Sequence, residues 1–217
     1  MNLFASLFPL IIWLIYSYAG NFLDKLRPSL SNLMNLQRRR WVANAVHRDN
    51  PIDAILSSSL MSSVSFFAST TVLLILALFA VFGQIETLHN ALSNIRPDLT
   101  SADISYHLIV LLGVFIMAFL SFTLSLRQFN HFCILLGAAD HAELSNENEV
   151  NAIASLNTLG ARNFNQGIRA YYFSVAMLIW FLSPLISIGT TIFIVLFLIY
   201  RDYFSRARNL ISTLTSK

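Results

Sequence analysis

Four long apolar regions dominate the chain, at residues 3–19, 57–82, 106–126 and 170–200. A helix needs roughly 20 predominantly apolar residues to cross a hydrocarbon layer of about 30 Å. The runs are continuous rather than alternating, which excludes membrane β-strands. The pattern therefore predicts an all-α, integral membrane helical bundle forming one domain over residues 1–217. Polar segments at 20–56, 83–105 and 127–169 connect the regions. The first region reads as a retained span, because Met1-Asn2 is not the basic start of a secretory signal.

The last region is too long for one straight crossing. Its 31 residues would make about 46 Å of helix, and Pro184 interrupts it after Ser183. Proline removes a backbone donor and disfavours helical geometry in the residue before it. Two forms follow: a hairpin of two short helices turning at Ser183-Pro184, or one long, kinked and tilted helix. The chain then crosses five times or four. Further helix signals lie outside the spans. Asn50-Pro51-Ile52-Asp53 has the order of N-cap, first-turn proline and acidic residue, so the second helix should begin near Pro51. The third should continue past Arg127 to about Leu136, and the acidic stretch 140–149 reads as a surface loop.

Composition sharpens the class. Of 217 residues, 56% are hydrophobic and 12% charged, against about 25% charged in soluble domains. A soluble enzyme and a nucleic-acid-binding domain are poor fits. The single cysteine, Cys133, excludes an internal disulfide and a cysteine-based zinc site. The cationic residues are clustered. Lys25, Arg27, Arg38, Arg39, Arg40 and Arg48 lie between the first two regions, whereas 83–105 holds Arg96 against Glu86, Asp98 and Asp103. The positive-inside rule then places 20–56 and 127–169 in the cytoplasm and 83–105 outside. The expected location is a bacterial inner membrane with the N-terminus outside.

Candidate chemistry is concentrated at the predicted cytoplasmic boundary. Arg127, Asn130 and His131 share a helical face, with Gln128 beside them. Asn163, Asn165, Arg169 and Tyr172 follow on the next helix. Arginine alone at that depth is explained by its charged end reaching the interface. Arginines accompanied by amides and an imidazole also suit an anionic headgroup or a phosphate-bearing ligand, since guanidinium offers a planar fork of donors. Arg38, Arg39, Arg40 and Trp41 read as an interfacial amphipathic segment facing anionic lipid. On the second helix, Ser59, Ser62, Ser63, Ser69 and Thr70 fall on one face. Such a stripe reads either as a helix–helix packing seam or as the lining of a pore.

No metal-ligand pattern, glycine-rich phosphate loop or nucleophile elbow is present in the sequence. The spans carry almost no carboxylate, which weakens an ion-coupled transporter. His131 is the residue singled out for proton transfer. No cofactor is expected, and the expected partners are membrane lipids, anionic ones included, and a second copy of the chain, with no nucleic acid.

Three blocks are distinctive: Phe66-Phe67-Ala68-Ser69-Thr70, Ser125-Leu126-Arg127-Gln128-Phe129-Asn130 and Phe164-Asn165-Gln166-Gly167-Ile168-Arg169-Ala170-Tyr171-Tyr172-Phe173. With Arg40-Trp41 and Tyr200-Arg201, they resemble the signatures of a family of small multi-span membrane proteins from bacteria and plants, catalogued as a domain of unknown function. The resemblance implies an integral membrane protein and brings no activity, substrate or cofactor with it. Bacterial members often carry histidine before the proline of the last region, where this chain has Ser183. The expected role is a non-enzymatic binding or accessory module, with an oligomeric channel as the alternative.

Overall fold

The computed structural model describes residues 2–48, 51–139 and 147–215. Among them the chain is helical and contains no strand: α1 (Asn2–Leu26), α2 (Leu30–Ala45), α3 (Ile52–Phe82), α4 (Ile85–Leu92), α5 (Ser101–Ala138), α6 (Glu147–Trp180), α7 (Pro184–Ile199) and α8 (Arg206–Thr215). Three helical stretches, Ile52–Phe82, Ser101–Ala138 and Pro184–Leu214, are long and apolar enough to cross a membrane, and Phe4–Ser17 is a shorter apolar stretch. The chain is a helical membrane protein.

Local chemistry accounts for the helix boundaries. Ser29 caps α2 by accepting from the Asn32 N–H. The expected N-cap of α3, Asn50, lies outside the described residues. At α5, the Asp103 N–H donates to Thr100 Oγ1 while the Thr100 N–H donates to Asp103 Oδ2, a reciprocal cap that satisfies two otherwise unpaired donors. Glu147 and Glu149 occupy the first turn of α6, where the positive end of the helix dipole favours anions. The expected surface loop therefore ends earlier than the sequence suggested: 147–149 are helical, and 140–146 lie outside the described residues. Ser205 caps α8 by accepting from the Arg208 N–H, after a five-residue π-helical turn at Tyr200–Phe204.

The last apolar region is a hairpin. α6 stops at Trp180, and α7 starts on Pro184, whose missing N–H costs nothing at a first helical position. Ser187 Oγ donates to the Ala176 carbonyl across 2.8 Å. Eleven residues apart on one helix, these atoms would be separated by about 16 Å, so the chain must reverse. The rings of Tyr172 and Phe197 lie 6.2 Å apart, again possible only for antiparallel neighbours. The reversal between Trp180 and Pro184 is why the region 170–200 does not form a single span.

Contacts divide the chain into two units, and several helices, α3, α5 and α6 among them, contribute to both. The first comprises Met1–Phe22, Ser69–Leu120 and Gln166–Leu198. Its buried residues include Trp13, Leu108, Leu111, Phe115, Phe173, Met177 and Trp180. Tyr171 hydrogen-bonds Thr71 at 2.6 Å and meets the Phe115 ring edge-to-face. The second comprises Leu23–Ala68, Ser121–Asn165 and Ile199–Lys217. Here Val42 and Val46 pack with Phe132 and Ala139 and with Val150, Ile153 and Ala154 of α6. Phe67, Phe122 and Phe164 form an aromatic cluster with centroid separations of 5.5 to 5.8 Å. Gly160 leaves room for the Phe129 ring, which a Cβ would approach to 2.9 Å, and Ser125 Oγ donates to the Gly160 carbonyl at 2.7 Å.

Candidate functional site

Charge is distributed unequally between the units. Among the described residues, eleven of the thirteen Lys and Arg lie in the second unit, and two, Arg96 and Arg169, in the first. The candidate residues of α5 belong to the cationic unit. Arg127, Asn130 and His131 are exposed. On the same helical face, Leu124 precedes them and Ile134 follows, both largely exposed. The face is thus apolar, then polar and cationic, then apolar again. Gln128 points elsewhere: its Oε1 accepts from Asn163 Nδ2 at 2.7 Å and joins α5 to α6. That bond satisfies two amides the sequence had grouped with the arginine. Asn165 is half-buried on α6.

Arg169 and Tyr172 belong to the first unit. The Arg169 guanidinium lies 5.1 Å from the Tyr16 ring centroid, a cation–π contact. Tyr172 packs edge-to-face on Phe197. Within that unit, both residues hold α6 to its neighbours.

Residues 38–41 form part of the second half of α2. Their side chains divide. Arg39 and Arg40 are exposed; Arg39 pairs with Glu147, and Arg40 Nη1 donates to the Leu214 carbonyl. Arg38 is partly buried, donates to Asn35 Oδ1 at 2.9 Å, and burial lowers its pKa from the ordinary guanidinium value. Trp41 is turned into the fold. Its indole N–H donates to Asp53 Oδ1 at 2.6 Å, and its ring lies 5.5 Å from Phe132. Arg48 completes the Asp53 contact at 3.0 Å. The buried Asp53 carboxylate thus ties α2 and the following turn to the start of α3.

The hydroxyl stripe faces outward. Ser59, Ser62, Ser63 and Ser69 are exposed and Thr70 is half-buried, so no described helix covers the four serines. Ser63 Oγ donates to the Ser59 carbonyl at 3.0 Å, which satisfies that hydroxyl within its own helix.

Sequence reasoning missed His107 and Arg96, which close the C-terminus of α6. The last carbonyls of any helix lack intrahelical donors, and in lipid each unsatisfied one costs several kcal/mol. Here all four are paired. Phe181 N–H donates to Leu178, and the N–H groups of Leu182 and Ser183 both donate to Ile179. His107 Nε2 bonds the Met177 carbonyl at 2.8 Å, and Arg96 Nη1 donates to the Trp180 carbonyl at 3.0 Å. A carbonyl only accepts, so Nε2 carries the proton, and Nδ1 accepts from Ser6 Oγ at 2.6 Å. His107 stacks on Trp180 at 4.1 Å between centroids, and Arg96 lies 5.4 Å from the same indole. The usable signal was a histidine one turn into an apolar helix and an arginine in an otherwise acidic loop.

Among the described residues, no three His, Cys, Asp or Glu side chains group as a metal site. Neither the curated proteins nor the solved structures include a match to this chain. A family model described as "Protein of unknown function, DUF599" matches residues 4–207, and the chain belongs to that family.

Proposed function

We propose that the protein is a non-enzymatic binding or accessory module of the bacterial inner membrane, N-terminus outside, that holds an anionic, phosphate-bearing ligand on the exposed, cytoplasmic-boundary face of α5. One observation carries the reading. Arg127, Asn130 and His131 stand together on an exposed face, between Leu124 and Ile134, whereas neighbouring Gln128 is engaged with Asn163. Guanidinium, amide and imidazole N–H groups complement phosphate oxygens, the guanidinium bidentately. The adjoining apolar side chains suit the acyl chains of a lipid bearing that phosphate. The concentration of cations in the second unit fits a cytoplasmic placement under the positive-inside rule.

Native mass spectrometry of gently solubilised protein tests this. Wild type should retain a phosphate-bearing adduct that an Arg127→Ala/His131→Ala variant of equal thermal stability loses. A diacyl lipid mass identifies a headgroup, and a small water-soluble mass identifies a free ligand. An adduct of equal occupancy in both proteins, or none in either, overturns the assignment.

The second reading, an oligomeric channel, draws on the outward exposure of Ser59, Ser62, Ser63 and Ser69. In an oligomer these hydroxyls would face a shared axis. Solute flux in proteoliposomes that falls when Ser62, Ser63 and Ser69 become alanine supports it, and absence of flux removes it.

A further inference from the structure

We infer that α8 is a membrane-surface helix whose Ala207, Leu210 and Leu214 face enters the acyl boundary of an anionic leaflet. The inference rests on the membrane-spanning character of the chain and is independent of the α5 site.

Helical geometry divides α8 into three faces. At about 100° per residue, Ala207, Leu210 and Leu214 fall within an arc of about 60°, and Arg206, Asn209 and Thr213 occupy another arc of similar width. Arg208, Ile211 and Ser212, all half-buried, form the third. That third face is fixed by contacts with the α2 region. Arg208 Nε donates to the Pro28 carbonyl, and Arg40 Nη1 donates to the Leu214 carbonyl near the α8 C-terminus, where a cation also suits the helix dipole. The rotation of α8 about its axis is therefore set, and the apolar arc points outward. Leu210 is 70% exposed and Leu214 58%.

Three observations name the occupant as lipid. First, the apolar stretch that begins at Pro184 and is long enough to cross a membrane is broken at Ser205, whose extended backbone ends the π-helical turn, and α8 opens on Arg206 and Arg208 just beyond the break. Two arginines in the first turn of a helix are costly in hydrocarbon and belong at headgroup depth. Second, the chain just before it is of the same character: Phe204 is exposed, with the Arg27 guanidinium 4.9 Å from its ring centroid. Third, the exposed Arg206 borders the apolar arc on α8, and the exposed Arg40 reaches the C-terminal end of α8 at the Leu214 carbonyl. An apolar stripe bordered by arginines is the pattern of helices that lie in the interface plane, buried about 5–10 Å into the headgroup–acyl boundary. Anionic headgroups complement the rim.

The test is spin-label accessibility in the full chain, reconstituted into nanodiscs of phosphatidylcholine with or without phosphatidylglycerol. Single cysteines replace residues 207, 209, 210, 213 and 214 on a Cys133→Ser background. If that background fails to fold, wild-type protein with its Cys133 signal subtracted serves instead. Labels at 207, 210 and 214 should collide more with oxygen than with a water-soluble nickel chelate, and labels at 209 and 213 should show the opposite preference. The contrast should deepen with phosphatidylglycerol and shrink in an Arg206→Gln variant. Chelate preference at 210 and 214 overturns the proposal. So does spin–spin broadening at those positions, which would put a second copy of the chain there. Equal depth in both lipid mixtures overturns the anionic assignment.

Discussion

Replacing His107 with phenylalanine keeps a ring of similar size against Trp180 but removes both of the imidazole's hydrogen bonds. The Met177 carbonyl loses its donor at the end of α6, where the next N–H, that of Phe181, is already committed to Leu178. A buried acceptor left without a partner costs about 1–3 kcal/mol. Ser6 also loses its acceptor at Nδ1, but its hydroxyl can rotate to a backbone carbonyl, so that loss is smaller. The expected total is about 2 kcal/mol, which corresponds to a fall in Tm of roughly 4–8 °C for a chain of this length. The measurement is thermal unfolding in one detergent, followed by tryptophan fluorescence. A double-mutant cycle with Ser6→Ala isolates the side-chain bond: Ser6→Ala should destabilise wild type by about 0.5–1.5 kcal/mol and the His107→Phe variant by much less. A His107→Phe protein melting within about 1 °C of wild type would refute the capping argument. So would strict additivity of the two substitutions.

Other substitutions separate packing from chemistry. Gly160→Ala should destabilise by about 1–3 kcal/mol because its Cβ meets the Phe129 ring at 2.9 Å, whereas Gly113→Ala and Gly189→Ala, with nothing within 4 Å, should be neutral or stabilising by about 0.5–1 kcal/mol; parallel melting curves decide the order. Asn157 is fully buried, and neither side-chain amide atom makes a hydrogen bond, so Asn157→Ala should cost less than about 1 kcal/mol while its neighbour Ile153→Ala costs about 2–5. A larger loss at Asn157 in the same melts contradicts this. Trp41→Phe removes a bond to the buried Asp53 carboxylate and should cost about 1.5–3 kcal/mol; an unchanged denaturation midpoint in SDS titration would show that the 2.6 Å contact is not formed in solution.

Hydropathy alone carried the fold class. An uninterrupted apolar run such as 72–82 of α3 cannot be exposed to water over such length, and a helix satisfies its own backbone wherever it lies in lipid. Capping chemistry placed the start of α3 near Pro51, and the structure begins it at Ile52. The hairpin was legible only as one of two forms. Pro184 guarantees an interruption, but the direction of the chain after it depends on a contact, Ser187 to Ala176, that no local preference encodes. The distinctive blocks were visible as motifs while their use was not. Phe67 and Phe164 share one aromatic cluster, and Gln128 pairs with Asn163; polar and aromatic residues that suggested a ligand in one dimension include several that bind each other in three.

A multi-span helical membrane protein, its helix starts and the gathering of cations in particular segments all follow from composition, period and capping, which act over a few residues. Which side chains face inward does not follow from them. Of two histidines on α5, His131 is exposed and His107 is fully buried against Trp180. Both have apolar neighbours along the chain, so local pattern cannot rank them. The choice depends on which face of α5 meets the other helices, and that is fixed by packing between segments roughly a hundred residues apart in sequence, as in the bond from Ser6 to His107.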